Sequence, residues 1–331
     1  MTEMLDESES GSDAEMLDVT EAEILADAIR DAASTNSGAS LDLALEGIGW
    51  GDALDVAPRL VVGSLFDAQG RAGTTSGSLG RLLRHCLDLP AEGPDTALLP
   101  AFGTSVPPAT TDGVQGLGTH DLMAAPHVVV VAQDGSTRRW CTLAAAELRL
   151  RAVGGLDPRL GLVEVSGAAV AAGNWRALDA SWSDAVARCR LAVGHELVGT
   201  MRTMLELARI HALDRVQFDR PISGFQAVRH RLAESLVAVE AAEAALDGAW
   251  DDGSVLAAAL AKAVCGESAR TVRRHCQQVL AGIGFTSEHD LHRYVRRSIV
   301  LDGLFGDART ISTEVGESVL RSRELPALLP L

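Results

Sequence analysis

The stretch RVQFDRPISGFQAVRHRLAES, Arg215–Ser235, interrupts two long alanine- and leucine-rich segments of helical periodicity. A helical hairpin needs a turn there, and Asp219-Arg220-Pro221 would supply it, with Pro221 fixing the backbone. A turn alone has no use for Arg215 and Gln217 on one side and Gln226 on the other. A planar guanidinium suits phosphate oxygens, and amides offer both donors and acceptors. The turn alone leaves these polar residues unexplained.

Working outward, Leu197, Val198, Met201, Met204, Leu205 and Ala208 form an apolar stripe at helical spacing in a helix starting near Asp184. A second helix is expected from about Gly224 to Ala249, ending at DDGS, where Ser254 is the N-cap of a third. The third closes at LAGIGF and a fourth starts near Ser287-Glu288. Long helices with short connections predict an antiparallel four-helix bundle over 171–331.

Residues 91–170 change character. HVVVVAQ, CTLAAAELRLRAV and GLVEV read as strands, with turns at Asp134-Gly135 and Gly154-Gly155, so three or four strands make a small sheet or partial barrel. Residues 21–90 read as helices: EAEILADAIRDAA is one-sided, and a second helical stretch from SLFDAQ stops at Pro90. Residues 1–20 read as an acidic, disordered tail. Up to residue 29 the chain has ten acidic residues and no Lys or Arg, unlike a signal or transit peptide.

The formal charge of −16 and an aromatic content of 4% argue against a nucleic-acid surface. No apolar run is long enough to span a bilayer, and the chain reads as cytoplasmic. The five scattered cysteines, without a C-x-x-C pair, indicate neither a disulfide framework nor a zinc site.

RVQFDRPISGFQAVRHRLA resembles the R-x-Q-F-G-x-P-I-x-x-F-Q-x-V-x-H segment of the flavin-dependent acyl-CoA dehydrogenases. QVLAGIGFTSEHDLH, from Gln278, resembles their Q-x-x-G-G-x-G-F-T-x-E-x-x-x-H segment. The resemblance covers roughly residues 184–310, more loosely 45–88. It implies a mainly α fold with an N-terminal helical domain, an abbreviated β domain and a C-terminal four-helix bundle. It also implies FAD, contacted by Arg215, Gln217, Phe225, Gln226, Gln278, Ala281 and Gly282 across a subunit interface. Taken singly, Arg215 reads as a surface charge, Phe218 and Phe225 as core, and the AGIG loop as a helix C-cap.

Three departures qualify the likeness. The T-E-P-x-x-G-S-D-like segment that seats the flavin ring is not found. Where many members carry a catalytic Glu in a Y-E-G-T-like loop, LFGDAR places Gly306, with Asp307 beside it. Where others carry it, about seven helical turns before Arg215, stands Cys189. Asp219 replaces a usual Gly, and Ala281 the first Gly of a Gly-Gly pair. No confident catalytic residue remains, Asp307 being a weak one set against a helix N-terminal role. His195 reads as a neutral or capping group.

The resemblance thus implies an FAD-contacting subunit that completes the flavin site of a full-length acyl-CoA dehydrogenase partner, as an α2β2 hetero-oligomer. The acyl-CoA thioester substrates in that group include steroid-derived ones. A flavin-free structural protein built on the bundle, and a homomeric dehydrogenase using Asp307, are the alternatives.

Overall fold

The computed structural model describes residues 18–323, apart from 91, 111, 136, 172 and 173. Most of the expected acidic tail lies outside the described residues, and helix α1 (Val19–Thr35) already starts inside its expected end at 20. Asp18 caps α1 by accepting the Glu21 N–H, and Glu21 returns the bond to the Asp18 N–H, a reciprocal capping box. Short α2 (Ala39–Ile48) and α3 (Trp50–Val56) follow. The second helical stretch is two helices, α4 (Pro58–Ala72) and α5 (Ser78–Cys86), because Gly73 turns left-handed at φ 66° and ends the first.

The β layer is one seven-stranded sheet in the order β5-β6-β2-β1-β3-β4-β7. Its strands are β1 (Ala109–Thr110), β2 (Gly113–Gly118), β3 (His127–Asp134), β4 (Thr137–Ala144), β5 (Arg149–Ala152), β6 (Val163–Gly167) and β7 (Arg176–Ala177). This corrects the expectation of three or four strands ending by 170. CTLAAAELRLRAV is two strands separated by a 3-10 turn at Ala145–Glu147. The Asp134-Gly135 hairpin joins β3 to β4, with Gly135 at φ 59°. Strand β3 shows why the run VVVV is needed. Side chains alternate in a strand, so Val128 and Val130 enter the sheet's own core while Val129 and Val131 pack into the core shared with the helices.

The bundle comprises α6 (Trp182–Asp214), α7 (Gln226–Asp252), α8 (Val255–Leu280) and α9 (Leu291–Gly303), followed by α10 (Ala308–Ser322). Ser254 caps α8 through the Ala257 N–H at 3.1 Å. The fourth helix starts at Leu291, later than expected, after a 3-10 segment at Ala281–Phe285 and an irregular stretch. Helix α6 is central. It meets α4 backbone to backbone: a Cβ on Gly199 would overlap the Asp67 carbonyl oxygen, and one on Gly70 that of Glu196. Trp250 Nε1 donates to His195 Nε2 at 3.0 Å, and burial pushes the imidazole pKa down to about 4, so His195 is a neutral core acceptor.

The three layers meet at Arg297 on α9, 2% exposed. Its Nε donates to Asp157 in the β5–β6 connection at 2.9 Å, and its Nη1 to the Thr74 carbonyl beyond α4. Glu196 of α6 lies 3.5 Å from Nη1. Burial pushes the Glu196 carboxyl up to about 7, against the pull of Arg297.

A carboxyl raised in the folded state binds a proton there before it does in the unfolded chain, so its stability contribution is lost as pH rises from about 4.5 to about 7. Thermal unfolding between pH 5 and 8 should show this as a falling midpoint. Glu196→Gln should flatten the slope, the difference being on the order of 3 kcal/mol. Parallel curves for the two proteins would refute the assignment.

Candidate functional site

Helix α6 ends at Arg215, whose carbonyl accepts the Ile222 N–H at 2.8 Å across a tight hairpin. Val216–Gln217 pairs with Arg220–Pro221. The turn is Phe218-Asp219, both left-handed at φ 53° and 61°, and not Asp219-Arg220-Pro221. Asp tolerates that conformation where Gly is usual, and Pro221 sits on the return strand opposite Val216. Phe225 then occupies the N-cap position of α7, with Gln226 its first residue.

Because α7 and α8 run antiparallel, α8 returns its C-terminus to this same end. His211 of α6 meets His289 of the α8–α9 connection edge-on, ring centroids 6.3 Å apart. His275 of α8 lies 3.5 Å from Glu234 of α7. The seven residues singled out from sequence, Arg215, Gln217, Phe225, Gln226, Gln278, Ala281 and Gly282, thus share one end of the bundle.

Their side chains are differently committed. Arg215, Gln226 and Gln278 are exposed and make no side-chain hydrogen bond or ion pair among the described residues. Gln217 is exposed and spends one amide N–H on the Val216 carbonyl at 2.8 Å. Phe225 is half-buried, its ring covered by the Arg220 guanidinium at 4.1 Å and by the edge of Phe218. Phe218, 86% exposed, and Phe285, 70% exposed, stand out at this end. Phe218 is therefore not core, and Phe285 had not been singled out; in a chain with only six Phe, their place beside the two motifs was the available signal.

Ala281 ends α8 at φ 51°, ψ −134°, a conformation that glycine adopts without strain and alanine does not. A Cβ on Gly282 would meet nothing within 4 Å, so nothing in the chain itself demands a glycine there. An unpaired guanidinium, two unspent amides and a bare stretch of backbone are a donor set that fits a dinucleotide with its pyrophosphate.

The opposite condition holds at the loop after α9. Gly306 adopts φ 92°, and its carbonyl faces Lys262 Nζ at 3.4 Å. Lys262, the chain's only lysine, is fully buried and also donates to the Asp302 carbonyl at 2.9 Å. Arg190 donates to the Phe305 carbonyl at 3.1 Å, and its Nη2 lies 3.6 Å from where a Gly306 side chain would begin. Asp307 caps α10 through the Thr310 N–H at 2.8 Å, and that backbone donor, foremost, holds its carboxyl below the ordinary range. Asp302 accepts the Ala308 N–H at 3.2 Å. Cys189 is fully buried, and burial pushes its thiol well above the ordinary range. Asp302, on α9, and Asp307 thus both serve the start of α10, Asp302 also lying 3.7 Å from Lys262 Nζ, and neither expected base position carries a carboxylate.

Residues 181–319 match the family described as acyl-CoA dehydrogenase, C-terminal domain. Acyl-CoA dehydrogenase IpdE2 of Mycobacterium tuberculosis is 30% identical over 238 residues, 69% of this chain and 68% of the relative. The chain spans from 17% to 68% of the length of the curated relatives it matches. The fold is shared with the Tcur3481-Tcur3483 steroid ACAD G363A variant, at TM-score 0.75 and 21% identity over 92% of this chain and 99% of that one. It is shared equally with the ChsE4-ChsE5 complex of Mycobacterium tuberculosis, at TM-score 0.72 and 19% identity over 96% and 99%.

Two substitutions test these local readings. Ala281→Gly should raise stability by about 1 kcal/mol by relieving the strained φ, seen as a higher denaturation midpoint; a lower midpoint would mean that the alanine methyl has packing of its own. Asp307→Asn should keep the cap and change the midpoint by less than about 0.5 kcal/mol. Any acyl-CoA oxidation measured with the chain should likewise stay within about two-fold, whereas loss of a catalytic base costs about 10²–10⁴-fold.

Proposed function

The chain belongs to the acyl-CoA dehydrogenase family, and we propose that it acts there as an FAD-contacting subunit that completes the flavin site of a full-length partner. The observation that carries this reading is the contrast between two regions. At the bundle end, Arg215, Gln226 and Gln278 offer polar groups that the chain does not use. At the loop after α9, where the reaction needs a base, Gly306, Lys262 and Arg190 leave no free carboxylate.

In the assembled enzyme the Arg215 guanidinium would hold the pyrophosphate charge of FAD. Gln226 and Gln278 would meet the adenosine side, and the Ala281–Gly282 backbone would let the cofactor approach closely. Gln217 retains one amide N–H and its carbonyl oxygen for the same purpose. Phe218 and Phe285 would anchor the interface, as exposed aromatic side chains do when a partner buries them. Bound FAD supplies the hydride acceptor for α,β-desaturation of an acyl-CoA thioester. The carboxylate that removes the α-proton would come from the partner.

The ChsE4-ChsE5 likeness supports assembly with a second, different chain, since that structure is a complex of two named chains. An α2β2 assembly and steroid-derived acyl-CoA substrates are the corresponding proposals, the second supported by the steroid ACAD of the same fold.

Arg215→Ala should weaken FAD retention in the purified complex about 10- to 100-fold, the worth of a charge-assisted bond to phosphate. Helical signal and melting of the chain should hardly change, because Arg215 is exposed and unpaired. Flavin absorbance per protein and far-UV circular dichroism together decide it. Parallel loss of both signals would make Arg215 structural and remove the proposed role.

A further inference from the structure

Away from the bundle end, a cavity of about 50 Å³ opens where the three layers meet. Its lining includes Gly73, Asp157, Arg159, Arg293, Tyr294 and Arg297, three guanidinium groups against one carboxylate. Arg297 is 98% buried at its side chain and uses Nε on Asp157 and Nη1 on the Thr74 carbonyl. Its Nη2 is buried with no partner among the described residues. A buried guanidinium N–H is rarely left unmet, because its desolvation is then uncompensated.

The other cations leave capacity to spare. Arg159 is exposed and pairs with no carboxylate among the described residues, while Arg293 reaches Asp290 at 3.0 Å in an exposed pair. Tyr294 donates its hydroxyl proton to the Arg71 carbonyl at 3.1 Å, leaving the oxygen free to accept. Burial and the Asp290 carboxylate raise the Tyr294 pKa, while Arg297, Arg159 and Arg293 pull it back down, so the three guanidinium groups act on that hydroxyl against one nearby carboxylate.

A single water needs about 10–15 Å³ of such space, so the cavity exceeds one water, while a whole nucleotide calls for several hundred. A tetrahedral oxyanion suits both the size and the forked donors. We propose that this three-layer junction seats a phosphate group, free or pendant from a larger molecule, with the Arg159 and Arg293 guanidinium groups as its donors beside the buried charge of Arg297. Because Arg159 lies in the β5–β6 connection and Arg293 on α9, the bound group would tie the sheet to the bundle. The proposal does not depend on the flavin reading.

The test is thermal unfolding of the full chain in inorganic phosphate, and separately in coenzyme A, each against chloride at matched ionic strength. Arg159→Ala is the informative variant, since an exposed side chain can be removed without unfolding the junction. Arg270→Ala, an exposed arginine paired with Glu267, is the control. A saturable rise in midpoint is expected, with affinity at least about ten-fold weaker in Arg159→Ala and unchanged in Arg270→Ala. A stronger effect of coenzyme A would identify a pendant phosphate, and equal or weaker effects a free anion. No saturable rise with either probe, or an equal rise in Arg159→Ala, would overturn the site and leave only ordered water beside Arg297.

Discussion

A guanidinium withdrawn from water has to be met by acceptors, and Arg297 finds them in three separate parts of the chain. Asp157 comes from the sheet, Glu196 from the central helix of the bundle, and the Thr74 carbonyl from the end of the N-terminal helices. Removing one partner of a buried ion pair typically costs about 3–5 kcal/mol, because the other charge stays buried. The arrangement of the layers is therefore coupled to one side chain. The backbone-to-backbone crossing of α4 and α6 at Gly70 and Gly199 adds a steric constraint of the same sense. One further tie links the N-terminal helices to the sheet, His120 meeting Asp42 at 3.0 Å, and Asp42 also accepts the Gly77 N–H at 2.8 Å within the helical layer.

With the layers fixed centrally, the two ends of the bundle are treated differently. At the α9–α10 loop Lys262 and Arg190 donate to backbone carbonyls, Asp302 lies 3.7 Å from Lys262 Nζ, and Asp302 and Asp307 both accept N–H groups at the start of α10. That corner is a structural joint. At the hairpin end the chain keeps an unpaired arginine, two unspent glutamines and two exposed phenylalanines, of which Phe218 sets its edge against Phe225 and leaves most of its ring in solvent. Groups of that kind persist where another surface uses them. The central proposal is that this surface meets a flavin shared with a second acyl-CoA dehydrogenase chain.

Much of the bundle was legible because its signals are local. The apolar stripe of α6, the DDGS stop and the Ser254 cap each lie within a few residues of what they decide. The two motifs fell on one end because antiparallel helices return there. The sheet was harder to read. Strands β1 and β7 are two residues each, too short for a period-2 pattern to announce them, and β7 pairs with β4 more than thirty residues away. The turn was misplaced by giving Pro221 the work that left-handed Phe218 and Asp219 do. The Arg297 junction left only one trace, a glutamate inside the apolar run LAVGHELVGTM. Its partners stand 101 and 140 residues from Arg297, and no spacing rule connects them.

The shared flavin site is tested most directly by visible absorbance per protein, measured on this chain purified alone and after co-expression with a full-length acyl-CoA dehydrogenase. The account predicts a colourless lone chain and a yellow complex holding about one FAD per pair of unlike subunits, since each subunit would supply only part of one site. A lone chain that is yellow and oxidises acyl-CoA would contradict it, placing the whole site, base included, on these residues.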